Sequence, residues 1–232
     1  MGFDTALGSV IGSAHRRAGR NGQDAGVIAR RDDTLVAVVT DGCGSARHSE
    51  VGAKLGAQIV AREVLARCAS PFDWTAIAAS VAEQLSHVAS PFSADCATLA
   101  DTFLFTILGA VMTPHETVIF SAGDGIFAVN GTTQQIGPFP GNAPPYLGYA
   151  LLGASSPAFT VQYEGATTDI DTLLIATDGA EPLMNAHTAP FWTDDAIFSN
   201  PDALRRRLFL LTRPGSALLD DDTTIAVIRR AA

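Results

Sequence analysis

Short apolar segments rich in β-branched residues recur along the whole chain. Such segments predict β-strands, and about nine of them are present, at residues 7–11, 25–29, 35–40, 103–112, 117–122, 126–129, 159–163, 173–177 and 224–228. The Asn130-Gly131 pair follows one of these segments and predicts a hairpin, because type I′ turns need positive φ at both central residues. The pattern therefore indicates sheets that are mainly antiparallel.

Three other segments repeat their apolar residues at helical spacing. This spacing predicts helices over residues 49–66, 74–88 and 202–212. The third helix carries an Arg run, residues 205–207, which we interpret as a solvent-exposed face. Strands, two helices, a strand meander, then a helix and a final strand predict sheets covered by helices rather than a regular βαβ winding. The expected fold class is an α+β sandwich.

One segment, residues 137–153, follows neither period. It is rich in Pro and Gly, which predicts an irregular surface excursion. A plain loop and a substrate-side flap both remain open for it. No Gly/Ser linker or block of charge divides the chain, so we expect one domain over residues 1–232.

Composition narrows the class of partner and the compartment. Hydrophobic residues make up 47% of the 232 residues, enough for a substantial core. The formal net charge is −9, so the surface as a whole should repel phosphate backbones and anionic lipid, and we expect no nucleic acid or membrane partner. Cys43, Cys68 and Cys96 form no C-x-x-C pair, which argues against a disulfide framework or zinc site. Without a signal-like N-terminus or a membrane-length apolar stretch, the sequence predicts a cytoplasmic protein.

Acidic residues stand at the ends of several predicted strands. Three strands end in Asp-Gly, at Asp41, Asp124 and Asp178. A single Asp-Gly pair is usually only a turn, but its threefold repetition weakens that explanation. Asp24 opens the second strand, and the acidic run 220–222 precedes the last one. We therefore expect some of these side chains to meet at one edge of the sandwich.

Asp24, Asp41, Asp178 and Asp221 are the side chains expected to converge. Converging carboxylates repel one another unless cations lie between them. Carboxylate oxygens are the ligands that hard divalent cations such as Mg²⁺ and Mn²⁺ prefer, so a binuclear metal site would remove the repulsion. A glycine after a ligand Asp, such as Gly42, also lets its carbonyl approach a cation closely because it lacks Cβ.

Six short motifs occur in a fixed order along nearly the whole chain. They are Gly12-Ser13-Ala14-His15, Asn21-Gly22-Gln23-Asp24-Ala25, Val39-Thr40-Asp41-Gly42-Cys43-Gly44-Ser45, Gly123-Asp124-Gly125, Ala176-Thr177-Asp178-Gly179 and Asp221-Asp222-Thr223-Thr224. Together they resemble the type 2C metal-dependent protein phosphatases, or PPM-type phosphatases, particularly a small bacterial branch. The resemblance implies a four-layer α-β-β-α sandwich with two antiparallel β-sheets flanked by helices. It also implies hydrolysis of phosphoserine or phosphothreonine on a protein, in bacterial signalling.

The same resemblance implies a set of site residues and two Mn²⁺ or Mg²⁺ ions that activate a water. Asp41 looks like the carboxylate that bridges both metals, and the Gly42 carbonyl like a ligand of the second metal. Asp178 and Asp221 look like ligands of the first metal. Asp24 resembles the family residue that hydrogen-bonds metal-bound water. Asp41 and Asp24 are therefore the expected catalytic residues.

The sequence departs from the family pattern next to this site. Gln23 stands where the family often has Glu, which should weaken the second metal site modestly. The family commonly places a phosphate-binding Arg four residues earlier, where this chain has Gly19. Arg20 and Arg17 are near substitutes for that phosphate-binding role, or else are solvated loop charges.

Three further residues keep two interpretations each. His15 is either a proton donor close to the site or a structural histidine. Asp101 is either the ligand of a third cation, which the family binds near this position, or a turn or cap residue. Asp124 is interpreted as a turn anchor rather than a metal ligand.

Three functional hypotheses follow for the chain as a whole. The first is a Mn²⁺- or Mg²⁺-dependent phosphatase with a phosphoprotein substrate and, as a further partner, a cognate Ser/Thr kinase. The second is a catalytically weak relative that serves as a regulatory binding module for a kinase or signalling partner, motivated by Gln23 and the missing Arg. The third is an α/β domain whose Asp-Gly pairs are all turns, which predicts no binding of divalent cations.

Overall fold

Two antiparallel β-sheets and seven α-helices make up the described part of the computed structural model, which comprises residues 2–67, 71–92, 95–155, 157–184, 188–213 and 218–231. The strands are β1 Phe3–Val10, β2 Ala25–Arg31, β3 Thr34–Gly42, β4 Phe105–Met112, β5 Glu116–Ala122, β6 Gly125–Val129, β7 Thr132–Ile136, β8 Thr160–Ala166, β9 Thr172–Ala176 and β10 Thr223–Arg230. The helices are α1 Ser13–Arg17, α2 Ser49–Ala66, α3 Trp74–Ala89, α4 Cys96–Phe103, α5 Ala189–Thr193, α6 Asp195–Ser199 and α7 Ala203–Leu211.

Each sheet has five strands, and every neighbouring pair is antiparallel. One sheet has the order β1-β10-β9-β6-β7 and the other β2-β3-β4-β5-β8. The hairpin between β6 and β7 turns at Asn130 and Gly131, whose φ values of 48° and 80° are both positive, as the predicted type I′ turn requires. The predicted hairpin and the predicted antiparallel pairing are thus confirmed.

The sheets pack face to face because their strands are apolar on both sides. Along β3, Leu35, Ala37 and Val39 belong to a buried cluster that also contains residues of the first sheet, such as Phe127 and Ile228. The alternate residues of β3 pack on the other side, in a cluster that the long helices α2 and α3 complete. A third cluster joins the outer face of the first sheet to α7. The layers therefore run α-β-β-α, and the predicted α+β sandwich is confirmed.

The helices agree with the sequence pattern where they are long. α2 has the predicted bounds, α3 is one residue longer at its C-terminal end, and α7 is one residue shorter at each end than predicted. Residues 103 and 104 were predicted to start a strand, but Phe103 ends α4 and β4 begins at Phe105. The side chain of Asp95 caps α4 by accepting from the amides of Ala97 and Thr98, which lets this short helix form.

The polar strand β7 was not predicted, since its residues lack an apolar period. It lies at the edge of its sheet, where the hairpin turn brings it beside β6. The Pro-rich excursion, residues 137–153, contains only short 3₁₀ turns, as predicted. Its middle is not a surface loop, however, because Tyr146 and Leu147 are buried. No helix within the described part of the chain combines the length and apolarity that a bilayer crossing requires.

Candidate active site

A small polar cavity opens at one end of the sandwich, where strands of both sheets terminate. Its volume is about 130 Å³, and four carboxylates line it: Asp41, Asp124, Asp178 and Asp221. The other described lining residues are His15, Gln23, Gly42, Cys43, Gly44, Thr106, Pro144 and Tyr146. No Lys or Arg is among these described lining residues, so the side chains around the cavity are strongly acidic.

A larger groove of about 580 Å³ lies beside α2 and α3. Its described lining consists mainly of aliphatic side chains and glutamines, with Arg62 and His87, and it contains no carboxylate. Hard divalent cations prefer carboxylate oxygens, and a single imidazole cannot supply such a ligand set. The smaller acidic cavity is therefore the candidate active site.

The strand ends position the lining carboxylates. Asp41 lies one residue before the end of β3, opposite Thr106 of β4, and its amide donates to the Thr106 hydroxyl at 3.3 Å. Asp178 begins a short 3₁₀ turn directly after Thr177, which follows β9. Asp221 lies two residues before β10, the neighbour of β9. These side chains, distant in the sequence, thus line one cavity.

The fourth lining carboxylate, Asp124, lies between β5 and β6. Gly123 and Gly125 flank it with φ values of 115° and 146°, which residues with a side chain rarely adopt. Burial raises the pKa of Asp124 above its ordinary value. The sequence interpretation gave Asp124 only a turn role. The structure places it at the turn and also in the cavity wall.

Asp24 lies just before β2, and only 5% of its surface is exposed. The Thr177 hydroxyl donates to Asp24 Oδ2 at 2.6 Å, whereas Oδ1 is buried without a hydrogen-bond partner among the described residues. Burial raises the pKa of Asp24 to about 8, and the charges of Asp222 and Asp178 contribute to the rise. An ionised Asp24 therefore needs a positive charge or a donor nearby.

The pKa values of two other carboxyl groups, those of Asp41 and Asp178, are also raised. Burial raises the pKa of Asp41 well above its ordinary value, and the charges of Asp24 and Asp178 raise it further. Asp178 is exposed at the cavity, yet desolvation of its carboxyl raises its pKa to about 6, together with the charges of Asp124 and Asp221. Burial and mutual repulsion disfavour the ionised forms of these carboxyl groups. Cations placed between them would stabilise the ionised forms.

The donor set fits hard divalent cations. The candidate ligands are carboxylate and carbonyl oxygens, and the unpartnered Asp24 Oδ1 is a buried acceptor. Mg²⁺ and Mn²⁺ prefer oxygen donors of this kind, while thiolate-preferring metals would need more sulfur than the one thiol of Cys43 that lines the cavity. The residues present are therefore compatible with the cations that the sequence analysis predicted.

Asp222 organises the loops behind the cavity, a role that the sequence interpretation missed. Its Oδ1 accepts from the Gly12 amide at 2.8 Å, and its Oδ2 accepts from the Gln23 amide at 2.6 Å and lies 2.9 Å from His15 Nδ1. Ligand atoms of His15, Asp221 and Asp222 lie within 4.8 Å of one another. Because Asp222 is 3% exposed and already has three partners, we interpret it as a positioning residue rather than a metal ligand.

Gln23 holds the turn that follows β3. Its Nε2 lies 3.0 Å from the Ala46 carbonyl, 2.7 Å from the Ser49 hydroxyl and 3.4 Å from the Cys43 carbonyl. The backbone carbonyl of Gln23 also accepts from the Gly42 amide at 3.2 Å. A Cβ at Gly42 would lie 2.6 Å from the Ser49 hydroxyl, so the close packing here requires glycine. Gln23 Oε1 is buried without a hydrogen-bond partner among the described residues.

The two predicted phosphate-binding arginines do not line the cavity. Arg20 donates to the Gly44 carbonyl at 2.9 Å and to the Ala46 carbonyl at 2.8 Å. Arg17 donates to the Ser13 hydroxyl at 2.9 Å, and the exposed fraction of its side chain is 69%. Both guanidinium groups therefore bind the surrounding loops, and their phosphate-binding role stays a prediction.

The candidate third-metal ligand, Asp101, also lies outside the cavity lining. It belongs to α4, where its carboxylate is 3.8 Å from Arg47 Nε and its backbone carbonyl accepts from the His48 amide. Asp101 therefore has a local structural role, and its metal-binding role stays a prediction.

Of the cysteines, Cys43 and Cys96 are free thiols, and Cys68 lies outside the described residues.

Tyr146 is a cavity residue that no sequence pattern indicated, because it lies within the irregular Pro-rich segment. It is 8% exposed and lines the cavity with Asp41 and Asp124. Burial raises the pKa of the phenol above its usual range, and Cys43 and the two Asp charges act in the same direction. Tyr146 thus presents a protonated phenol to an otherwise acidic cavity.

Comparisons with known proteins agree on one fold. A family model described as protein phosphatase 2C matches residues 11–210. A bacterial serine phosphatase is 16% identical over 98% of this chain and 97% of its own, with a TM-score of 0.58. Serine/threonine phosphatase Stp1 from Staphylococcus aureus is 15% identical over 100% of this chain and 96% of its own, with a TM-score of 0.59. RsbX in complex with magnesium is 14% identical over 98% and 95%, with a TM-score of 0.52. No curated protein matches the sequence.

Proposed function

The chain belongs to the protein phosphatase 2C family, and from this premise we propose that it hydrolyses phosphoserine or phosphothreonine on a protein in bacterial signalling. The observation that carries the proposal is the acidic cavity, which Asp41, Asp178 and Asp221 line and behind which Asp24 is buried. If the Asp-Gly pairs were only turns, nothing would compensate for the mutual repulsion of these carboxylates. The solved RsbX complex contains magnesium, which supports a similar cofactor here.

We assign the cation-holding groups to the lining residues. Asp41 and the Gly42 carbonyl would hold one divalent cation, with Asp41 shared by a second that Asp178 and Asp221 complete. When bound, two Mg²⁺ or Mn²⁺ ions would lower the pKa of a water and neutralise charge on the phosphoryl group. The Arg-poor cavity makes this neutralisation important, because no described lining side chain is Lys or Arg.

The chain itself supplies proton handling and orientation. Asp24 Oδ1, buried and unpartnered, is available to accept a hydrogen bond from an attacking water. Asp222 lies 2.9 Å from His15 Nδ1, which fixes the ring and leaves Nε2 for the cavity. His15 in its protonated form would give a proton to the departing serine or threonine oxygen. Asp222 would therefore act through His15, and not on the substrate.

Activity assays with and without metal test this function. Purified protein should hydrolyse p-nitrophenyl phosphate and a phosphothreonine peptide with added Mn²⁺ or Mg²⁺, and EDTA should abolish the activity. We expect Asp41→Ala to lower kcat at least about 100-fold, because loss of a shared ligand should exceed the usual effect of an outer partner. The matched control is Glu164→Ala, which removes an exposed carboxylate on β8. Turnover that survives both EDTA and Asp41→Ala would rule the proposal out.

A second candidate function is a regulatory binding module with weak turnover, whose partner would be a kinase or another signalling protein. Two observations favour it: Gln23 is neutral, and Arg17 and Arg20 donate to loop groups and are not among the described lining residues. Calorimetric titration with Mn²⁺ separates the two functions. Tight metal binding with negligible turnover on every phosphopeptide tested would favour the binding module.

A further inference from the structure

The described lining of the candidate active site contains neither Lys nor Arg, the side chains that a phosphoryl group usually meets in proteins. A phosphate ester presents oxygen acceptors, and the described lining side chains are dominated by carboxylates, which when ionised can only accept. Extending the proposed function, we propose that Tyr146 binds substrate by donating its phenol O–H to a phosphoryl oxygen. Tyr146 would thereby take the place of the phosphate-binding arginine.

The neighbouring arginines already have other partners. Arg20 binds two carbonyls of the turn after β3, at 2.8 and 2.9 Å, and this turn also carries Gly44 of the cavity lining. Arg17 binds Ser13 and lies 3.7 Å from Asp220. Recruiting either guanidinium to the cavity would break these contacts and leave carbonyl or carboxylate groups unpaired. The Tyr146 phenol already lines the cavity, and its hydrogen-bond partner there, the Cys43 thiol, is a weak one that is lost at little cost.

The other polar lining side chains have local contacts or another proposed role. Gln23 Nε2 binds the turn after β3, and His15, held at Nδ1 by Asp222, is assigned to the departing oxygen of the substrate. The Thr106 hydroxyl lies against the Asp41 amide, and the thiol of Cys43 is a weak donor. Tyr146 differs from them because a phenol is a strong neutral donor and keeps its proton at neutral pH.

The backbone holds Tyr146 in place before any ligand arrives. Its amide donates to the Pro144 carbonyl at 2.9 Å, and its ring packs on Tyr149 with the ring centroids 5.3 Å apart. Two residues on, Gly148 lies so close to the Phe103 carbonyl that a Cβ would overlap it. The segment is thus fixed against the end of α4. A fixed donor loses little conformational entropy when it binds a ligand.

The test compares Tyr146→Phe with its neighbour Tyr149→Phe, which removes the same hydroxyl outside the cavity lining. A hydrogen bond to a charged acceptor contributes enough that its loss should weaken binding about 10-fold. We therefore expect Tyr146→Phe to raise both KM for a phosphothreonine peptide and Ki for inorganic phosphate about 10-fold. Mn²⁺ affinity measured by calorimetry should stay unchanged, and Tyr149→Phe should match the wild type in all three measurements.

The outcomes separate this inference from the proposed function. A folded Tyr146→Phe protein with wild-type KM and Ki would overturn the inference and leave the phosphatase proposal intact. A parallel loss of Mn²⁺ affinity would also overturn it, because Tyr146 would then act on the site's architecture. If the wild type shows no turnover, the phosphatase proposal fails, and phosphate binding to the Mg²⁺-loaded protein, followed by ³¹P NMR, still decides the role of Tyr146. Weaker phosphate binding by Tyr146→Phe would support the inference, and equal or absent binding in both proteins would overturn it.

Discussion

At the scale of single residues, Gln23 acts through an amide donor where the family often has a carboxylate. Its Nε2 faces the carbonyls of Cys43 and Ala46 and the hydroxyl of Ser49. A carboxylate at this position could not donate to either carbonyl. The side-chain amide of Gln23 therefore stabilises the turn after β3 through contacts that an ionised Glu could not make.

We expect Gln23→Glu to destabilise the protein, although it restores the residue typical of the family. The change places a buried acceptor against two carbonyl oxygens, which costs about 1–3 kcal/mol in the free energy of unfolding. Chemical denaturation of the metal-free protein would measure the loss. The control is Gln58→Glu, the same change at an exposed position of α2. A Gln23→Glu protein as stable as the wild type would show that the amide contacts do not hold the turn.

The residue scale is also where sequence reasoning was weakest. Asp220, Asp221 and Asp222 are adjacent and chemically identical, but only Asp222 is buried, where it binds three groups from distant parts of the chain. Tyr146 reaches the cavity only because its irregular segment folds back against the body. Side-chain roles of this kind depend on tertiary contacts, and no local period in the sequence encodes them.

At the scale of elements, periodicity predicted long segments well and short ones poorly. The 18 residues of α2 carry enough helical repeats to define both ends. The five residues of α1 and the eight of α4 are too few to show a period, and capping or packing contacts decide them. The polar strand β7 depends on its hairpin turn and on β6 in the same way. Tertiary context therefore decided the elements that the pattern missed.

The close contact between α2 and α4 gives an element-level prediction. A Cβ at Gly52 of α2 would overlap the carbonyl oxygen of Thr102 in α4. Helix propensity alone predicts that Gly52→Ala stabilises the protein by up to about 1 kcal/mol. Overpacking costs about 1–3 kcal/mol, so we expect a net loss of stability. Thermal unfolding measures the sign, and Gly2→Ala is the control because its Cβ would meet only Ala231 at 3.7 Å. A rise in Tm for Gly52→Ala would contradict the close packing.

At the scale of the whole molecule, the acidic cavity couples stability to pH. The pKa of Asp24 is about 8 in the folded chain, against an ordinary value of 3.8. Between these values the folded state holds a proton that the unfolded state has lost, so folding stability falls as pH rises. Asp41 and Asp178 act in the same direction, because their pKa values are also raised.

We therefore expect the Tm of the protein in EDTA to fall between pH 5 and pH 8. Added Mg²⁺ or Mn²⁺ should stabilise the protein more at pH 8 than at pH 5, because cations compete with protons for these carboxylates. Asp24→Asn should flatten the pH dependence and raise the metal-free Tm at pH 8. Calorimetric scans of both proteins across this range provide the measurement. A Tm that is independent of pH in EDTA would show that the carboxylates are not crowded.

The topology of the first sheet has a consequence for biosynthesis. β10 is the last strand in sequence, yet it lies between β1 and β9, and the residues just before it supply Asp221 and Asp222. The ribosome must therefore synthesise and release nearly all of the chain up to residue 230 before the first sheet can close. Until then the nascent polypeptide has neither a complete acidic cavity nor the Asp222 contact of His15. The cation binding that we propose, and any activity that depends on it, would have to await the insertion of β10.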